Sequence, residues 1–388
     1  MTLTDGRKAA ILQAALRIQR KNQNGVLMNK EKFFYELEVR SKILNEYILN
    51  NRFVERFNPE DIRWAVTAYV KYGGKRLRPA ILLFSCGALG GDEQKAIPAA
   101  AAVEIFHTWT LVHDDIIDRD AVRRGRPTVH HHYYENSLAD DIHSLSAEDA
   151  SHYGVSIAIL TGDIQHGWGI SMMAELTSKY GIDPNITLDL IYELDTKVLN
   201  TLVEGEVLDI QYAYRDINSL SPEKIEDMLW KKTGALYEFC GRAGALIGAG
   251  DKDDPRIKAV ADFAAKCGTA FQLQDDILGL VGNEKKLGKP VGSDLREGKR
   301  TLVVYRAFHN ASETQRDKLI KILGNDKASE EDIKDTITLL GDLDGINYVA
   351  QRAQYLIESA IPLLDCLPVS KYRDLLYQWA DFLIKREF

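Results

Sequence analysis

Asp114, Asp115 and Asp118 close the apolar stretch FHTWTLVHDDIIDRD, Phe106 to Asp120, and Asp275 and Asp276 close a second, FQLQDDILG, Phe271 to Gly279. Positions 114 and 118 are four apart, so on a helix their carboxylates stack on one face about one turn from each other. Like charges at that spacing repel by a few tenths of a kcal/mol even on an isolated helix. Here they follow a long apolar run rather than a solvated one, so a cation belongs between them. Hard oxygen ligands select Mg²⁺, Mn²⁺ or Ca²⁺, and Mg²⁺ is commonly held by one or two carboxylates together with substrate phosphates. A single acidic helix end reads as surface. Two of them can face each other across a cavity and hold several divalent ions.

Cations stand in separate clusters. Gly73 to Pro79, GGKRLRP, sets three beside glycines that let a backbone approach a ligand, and Arg123-Arg124-Gly125 lies one short loop beyond Asp118. Lys231-Lys232-Thr233-Gly234, Gly288-Lys289 and Lys299-Arg300 add more. Arginine forks and lysine point charges are the usual phosphate binders. The combination fits two polyphosphorylated substrates, one held through metal ions and lysines, the other mainly by arginine and lysine. No Ser-His-Asp order, P-loop or strand-borne G-x-G-x-x-G offers another chemistry. His130, His131 and His132 are consecutive and point different ways on a helix, which argues against a metal triad. His113-Asp114 mimics the pair of metal phosphohydrolases but lacks companion histidines at clear spacings.

These residues need a scaffold. The chain has 388 residues, 45% hydrophobic and 27% charged, the balance of a globular protein with a sizeable core. Its charge of 49 − 57 = −8 provides no global field for a nucleic-acid backbone. The longest nearly uncharged apolar stretch, Pro79 to Gly91, is too short to span a bilayer. Cys86, Cys240, Cys267 and Cys366 show no C-x-x-C spacing and read as reduced, buried thiols. The opening MTLTDGRKAA lacks the features of a secretory signal, from which a cytoplasmic location is expected.

Apolar residues recur every three or four positions, as at Ile11, Ala15 and Ile18, at Ala353, Leu356, Ile357 and Ala360, and at Leu375, Trp379 and Leu383. Pro79, Pro98, Pro184, Pro222, Pro255 and Pro290 sit where helices would start or stop. Period-two alternation and hairpin signals are scarce, so the pattern predicts an all-α protein of a dozen or more helices. Residues 1–55 read as a charged helical extension, and Glu135 to Tyr153 as an acidic surface excursion between two helices.

GGKRLRP, LVHDDIIDRDAVRRGRPT, KKTGALYEF and FQLQDDILGLVGNEKKLGKPVGSDLREGKRTL resemble, in that order, the motifs of the trans-isoprenyl diphosphate synthase (polyprenyl synthetase) family. The resemblance is dense from Arg63 to Leu302. It implies an isoprenoid synthase fold, one domain over residues 56–388 with helices around a central catalytic cavity. It implies head-to-tail condensation of isopentenyl diphosphate with an allylic diphosphate, assisted by Mg²⁺, three ions in all, for which Mn²⁺ can substitute, in a homodimer.

By the same resemblance Asp114 and Asp118 bind metal with Asp115 alongside, and Asp275 and Asp276 form the second motif. Lys75, Arg78, His107 and Arg124 match positions that hold isopentenyl diphosphate, while Arg123, Lys232, Lys289 and Lys299 match those that grip the allylic diphosphate. Thr233 and Gln272 match groups beside the reacting carbons. Gly279 replaces a third aspartate of many members, and Glu206 stands where many have glutamine. Trp109, five residues before Asp114, with non-aromatic Thr110 beside it, is similar to archaeal-type geranylgeranyl synthases and implies a C20 product, with C15 as runner-up. A class I terpene cyclase would need no cluster such as GGKRLRP, and a non-catalytic partner subunit generally loses one aspartate motif, whereas both are present here.

Overall fold

A computed structural model describes residues 30–139, 145–282 and 291–385. Helix α1 spans Lys30–Leu49, α2 Glu60–Lys71, α3 Leu77–Ala88 and α4 Ile97–Ile117. A two-residue ladder follows, β1 Val122–Arg123 against β2 Arg126–Pro127. Then come α5 Val129–Ala139, α6 Ala147–Met173, α7 Glu175–Tyr180, α8 Pro184–Tyr192 and α9 Leu199–Ala213. Next are α10 Pro222–Leu229, α11 Ala235–Ala249 and α12 Pro255–Val281. The chain ends through α13 Ser293–Arg296, α14 Leu302–Asn310, α15 Glu313–Ile322, α16 Glu330–Asp342, α17 Gly345–Ala360 and α18 Lys371–Lys385.

Proline and short polar caps start several of these helices. Pro98, Pro184, Pro222 and Pro255 occupy the first turn of α4, α8, α10 and α12, where a missing N–H is harmless. Asp183, Ser221, Asp254 and Thr301 accept from backbone N–H groups two or three residues on, satisfying donors the helices leave open. Two π turns, Glu193–Val198 and Trp230–Gly234, join α8 to α9 and α10 to α11.

Helix α4 runs along α6, and α11 lies between α3 and α12. Both aspartate-bearing helices are therefore buried along most of their length. Phe84, Phe106, Phe239, Phe263 and Trp379 fill the core. The Trp379 indole donates to Leu77 O at 3.2 Å and meets the Tyr237 ring edge-on at 5.5 Å. Among the described residues no helix is long and apolar enough to cross a membrane.

Three expectations change. Most of the Glu135–Tyr153 stretch is helical: α5 continues to Ala139, and Ser146 caps α6, whose first turn takes Glu148 and Asp149 toward the positive end of the helix dipole; residues 140–144 lie outside the described residues. Cys366 is exposed, whereas Cys86, Cys240 and Cys267 are buried thiols as read. A hairpin is present where none was expected, because Arg124 and Gly125 both take left-handed backbone (φ 55° and 72°), the twist a two-residue hairpin turn demands.

The expected repeat at Ile11, Ala15 and Ile18 also lies outside the described residues. Helix α1 contributes Phe33, Leu37, Leu44 and Ile48 to the common core. Replacing the fully buried Leu44 by alanine should destabilise the protein by about 2–5 kcal/mol, the usual cost of such a cavity. Denaturant unfolding followed by circular dichroism measures it, and a loss below about 0.5 kcal/mol would make α1 an appendage.

Candidate active site

One cavity of about 450 Å³ collects most of the chemistry. Helix α4 supplies His107, Trp109, Thr110, His113 and Asp114, the β1–β2 hairpin Arg123 and Arg124, and α3 Arg78. Helix α9 brings Leu202, Val203, Glu206, Val207 and Ile210, the second π turn Lys232 and Thr233, and α12 Phe271, Gln272 and Asp275. The two acidic helix ends thus share one space with cations from three separate elements, α3, the hairpin and the second π turn, and α9 gives it an apolar wall.

Lys232 is held in place by acids. Its Nζ lies 2.7 Å from Asp209 Oδ2 and 2.8 Å from Glu206 Oε2. Burial alone would lower its pKa, but Asp209, Asp114, Glu206 and Asp118 keep the ammonium well above its ordinary value. The π turn that presents it packs directly on α9, and only glycine fits at 205, since a Cβ there would lie 2.3 Å from Lys232 N. Insertions of this kind recur at functional positions. Burial, and then the Asp114 carboxylate, push Glu206 up to about 7 against the pull of Lys232.

A hydrogen-bonded chain connects the π turn to the second aspartate pair. Thr233 Oγ1 donates to Gln272 Oε1 at 2.8 Å, and Gln272 Nε2 donates to Asp276 Oδ1 at 3.1 Å. Asp276 Oδ2 is buried with no hydrogen-bond partner among the described residues. Burial first, then Asp294, Asp209 and Asp275, raise that carboxyl well above the carboxylate range. Lys299 Nζ links the first motif to α13 and the residue that follows it, 3.2 Å from Asp118 Oδ2, 3.9 Å from Asp294 Oδ1 and 2.7 Å from Glu297 Oε2. Among the described residues no three Asp, Glu, His or Cys side chains converge tightly enough to hold an ion unaided. An all-oxygen donor set with an orphaned buried carboxylate oxygen fits a hard divalent cation whose shell substrate oxygens would complete.

Asp115 does not face this space. It is fully buried, accepts from the Tyr69 hydroxyl, and takes a two-pronged grip from Arg123, Nε to Oδ1 at 2.8 Å and Nη2 to Oδ1 at 2.5 Å. Burial raises its pKa while Arg123 opposes the rise. Asp115 therefore anchors the hairpin to the end of α4. Arg124 hydrogen bonds Gly73 O and Tyr69 O, clasping the glycine pair of the basic loop.

Arg78 Nη1 lies 3.0 Å from His107 Nε2, with its guanidinium 4.5 Å from the Tyr237 ring centre. A guanidinium only donates, so Nε2 accepts. Burial, then Arg78 and its neighbouring arginines, hold His107 well below its usual pKa, and it is neutral. Lys75 is exposed, lies outside the cavity lining, and carries its ammonium 5.3 Å over the Phe382 ring. Lys289 lies outside the described residues. His113 nestles on Gly162 of α6, its Nε2 3.3 Å from Ile159 O, in a packing position. Sequence reading missed Asp209, Asp294 and Glu297. Only the i, i+3 placement of Asp209 after Glu206 on one helix face hinted at the first.

A helical cup in which two carboxylate-tipped helices share a cavity with cations from other elements defines the isoprenoid synthase class. The polyprenyl synthetase family profile matches residues 59–340. A geranylgeranyl diphosphate synthase of Sulfolobus acidocaldarius is 35% identical over 81% of this chain and 87% of its own. A geranylfarnesyl diphosphate synthase of Aeropyrum pernix is 33% identical over 89% and 99%. Among solved structures, a geranylgeranyl pyrophosphate synthase from Corynebacterium glutamicum, complexed with isoprenyl diphosphate and magnesium, superposes with a TM-score of 0.79 at 26% identity, covering 90% of this chain and 99% of that one. The chain belongs to the polyprenyl synthetase family, whose members are trans-prenyltransferases.

A carboxyl whose folded pKa exceeds its unfolded one stabilises the fold only while protonated. The Glu206 contribution is thus complete below about pH 4.5 and lost as pH rises through about 7. Glu206→Gln should raise the stability of the ligand-free protein at pH 8 by on the order of 1 kcal/mol. The gain should vanish by pH 5 in thermal melts across that range, and a loss at pH 8 would show that its pairing with Lys232 dominates instead.

Proposed function

We propose that the protein condenses isopentenyl diphosphate with an allylic diphosphate in trans, head-to-tail fashion to make geranylgeranyl diphosphate (C20). The reading is carried by one observation: both acidic helix ends, their opposing cations and an apolar wall line a single cavity. Asp114, Asp118 and Asp275, with Asp276 beside them, would hold Mg²⁺, three ions in the family pattern with Mn²⁺ able to substitute. When bound, those ions neutralise charge on the departing diphosphate.

Lys232, Lys299 and Arg123, joined by Lys289, take the allylic diphosphate. Their fixed positive charge stabilises the electron pair that leaves with it as the allylic C–O bond breaks. Arg78, Arg124 and His107, with Lys75 at the rim, take isopentenyl diphosphate, whose double bond attacks the allylic carbon. The proton then lost passes to the released diphosphate. Gln272, oriented from both sides by Thr233 and Asp276, presents its amide beside the cation, and the α9 wall excludes water.

Trp109 supports the C20 reading. Its ring packs against Phe106 at 5.0 Å and His166 of α6 at 5.4 Å, so it lines the cavity with a rigid backing. Thr110 beside it lines the same cavity and donates to His107 O at 2.8 Å. One isoprene unit is about one helical turn, roughly 5 Å, and a ring five residues below Asp114 would stop growth early. We further place the protein in the cytoplasm as a homodimer. Helix α6 exposes Ile159 and Leu160, and α8 exposes Leu188 and Tyr192, apolar surface that a second copy would cover. Light scattering should then give twice 43.7 kDa.

Purified protein supplied with Mg²⁺, isopentenyl diphosphate and an allylic diphosphate should release diphosphate and a C20 product. Release without isopentenyl diphosphate would indicate a cyclase, and none without an added partner a silent subunit. Asp275→Ala, or chelation by EDTA, should lower turnover by about 10²-fold or more. Trp109→Ala should lengthen the product to C25 or beyond by chromatography, and an unchanged length would defeat the floor.

A further inference from the structure

Arg76 stands between exposed Lys75 and cavity-lining Arg78, and its own side chain turns into the core. Its side chain is buried, its backbone is left-handed (φ 49°), and its guanidinium is fully engaged: Nη1 on Glu104, Nε on Asn45 Oδ1 at 3.0 Å, Nη2 on Val70 O at 2.7 Å. Few non-glycine residues hold that backbone, and those that do are over-determined by their surroundings. Here three helices fix one fork: α1 through Asn45, α2 through Val70 and α4 through Glu104.

Glu104 lies one turn before His107 on α4, and His107 Nε2 receives Arg78. The basic loop is therefore fastened to α4 at two points a turn apart, the first outside the cavity and the second inside it. Asp114 follows ten residues along the same helix, a rigid span of about 15 Å. Arg124, clasped by Gly73 O, depends on the same loop.

We propose that the buried Arg76–Glu104 ion pair is a positioning device: it sets the distance from Arg78 and Arg124 to the Asp114 carboxylate, and so governs capture of isopentenyl diphosphate without touching it. This rests on the function proposed above. Mutations remote from the reacting atoms act on an enzyme in this way when they shift a bound group by about 1 Å, at up to about 10²-fold in rate or affinity.

Two variants test it. Arg76→Met with Glu104→Leu removes both charges and keeps the volume apolar, a replacement that folds well in other proteins. Arg76→Lys keeps the counter-ion but loses the fork that also reaches Asn45 and Val70. Steady-state kinetics with both substrates varied should show KM for isopentenyl diphosphate rising about tenfold or more in either variant. KM for the allylic substrate and kcat should stay within about twofold, with thermal melts reporting a folded protein. An unmoved KM in a folded, active variant would overturn the inference alone, as would a joint rise of both KM values with a fall in kcat, the mark of a merely structural pair. A wild type that turns over neither substrate would overturn the functional reading and this inference with it. If the double variant fails to fold, Arg76→Lys decides.

Discussion

Carboxylates gathered in a half-buried space repel one another, and every other feature of the site answers that repulsion. Burial first, and then neighbouring acids, Asp294, Asp209 and Asp275 for Asp276 and Asp114 and Asp209 for Glu206, raise both carboxyls above the usual carboxylate range. Within the protein itself the compensation comes from Lys232 and Lys299, each wedged among several acids rather than paired with one.

The backbone is shaped to make that crowding possible. Two long helices, α4 and α12, bring their acidic ends to one place because their apolar lengths are buried against α6 and α11. The hairpin at Arg123 to Arg126 returns cations to the same opening, and Asp115 ties it down by turning inward. The middle aspartate of the first motif thus serves the architecture of the site while Asp114 faces the cavity.

Much of this was legible from residue types and spacing. Proline positions marked helix starts, as Pro98, Pro184, Pro222 and Pro255 show, because proline has few other comfortable places in an all-helical chain. The two aspartate groups and the separated cations announced a polyphosphate site. Orientation was not legible. Sequence spacing put Asp115 with Asp114 and Arg76 with Arg78, yet each pair splits between cavity and core, because the partners that decide it, Tyr69 and Glu104, are distant in the chain. The hairpin was missed because Arg-Gly is not a favoured turn pair. Arg124 holds its left-handed backbone while its guanidinium is captured by Gly73 O and Tyr69 O, partners distant in the chain. The acidic stretch after Glu135 read as loop because charge dominates it, although first-turn acids suit a helix start.

The π turn at Trp230–Gly234 has one residue more than a regular turn would hold. Each residue of an α-helix rotates the next by about 100°, so the surplus resets the angular phase of everything after it. The apolar stripe of α10, Ile225, Met228 and Leu229, and that of α11, Leu236, Tyr237, Phe239 and Cys240, consequently need not share one bearing. Lys232 and Thr233 occupy the offset between them. A chain shortened by one residue there would straighten the helix and swing the aromatic face of α11 out of register with α3 and α12, so the reactive corner and the core behind it are locked to the same count.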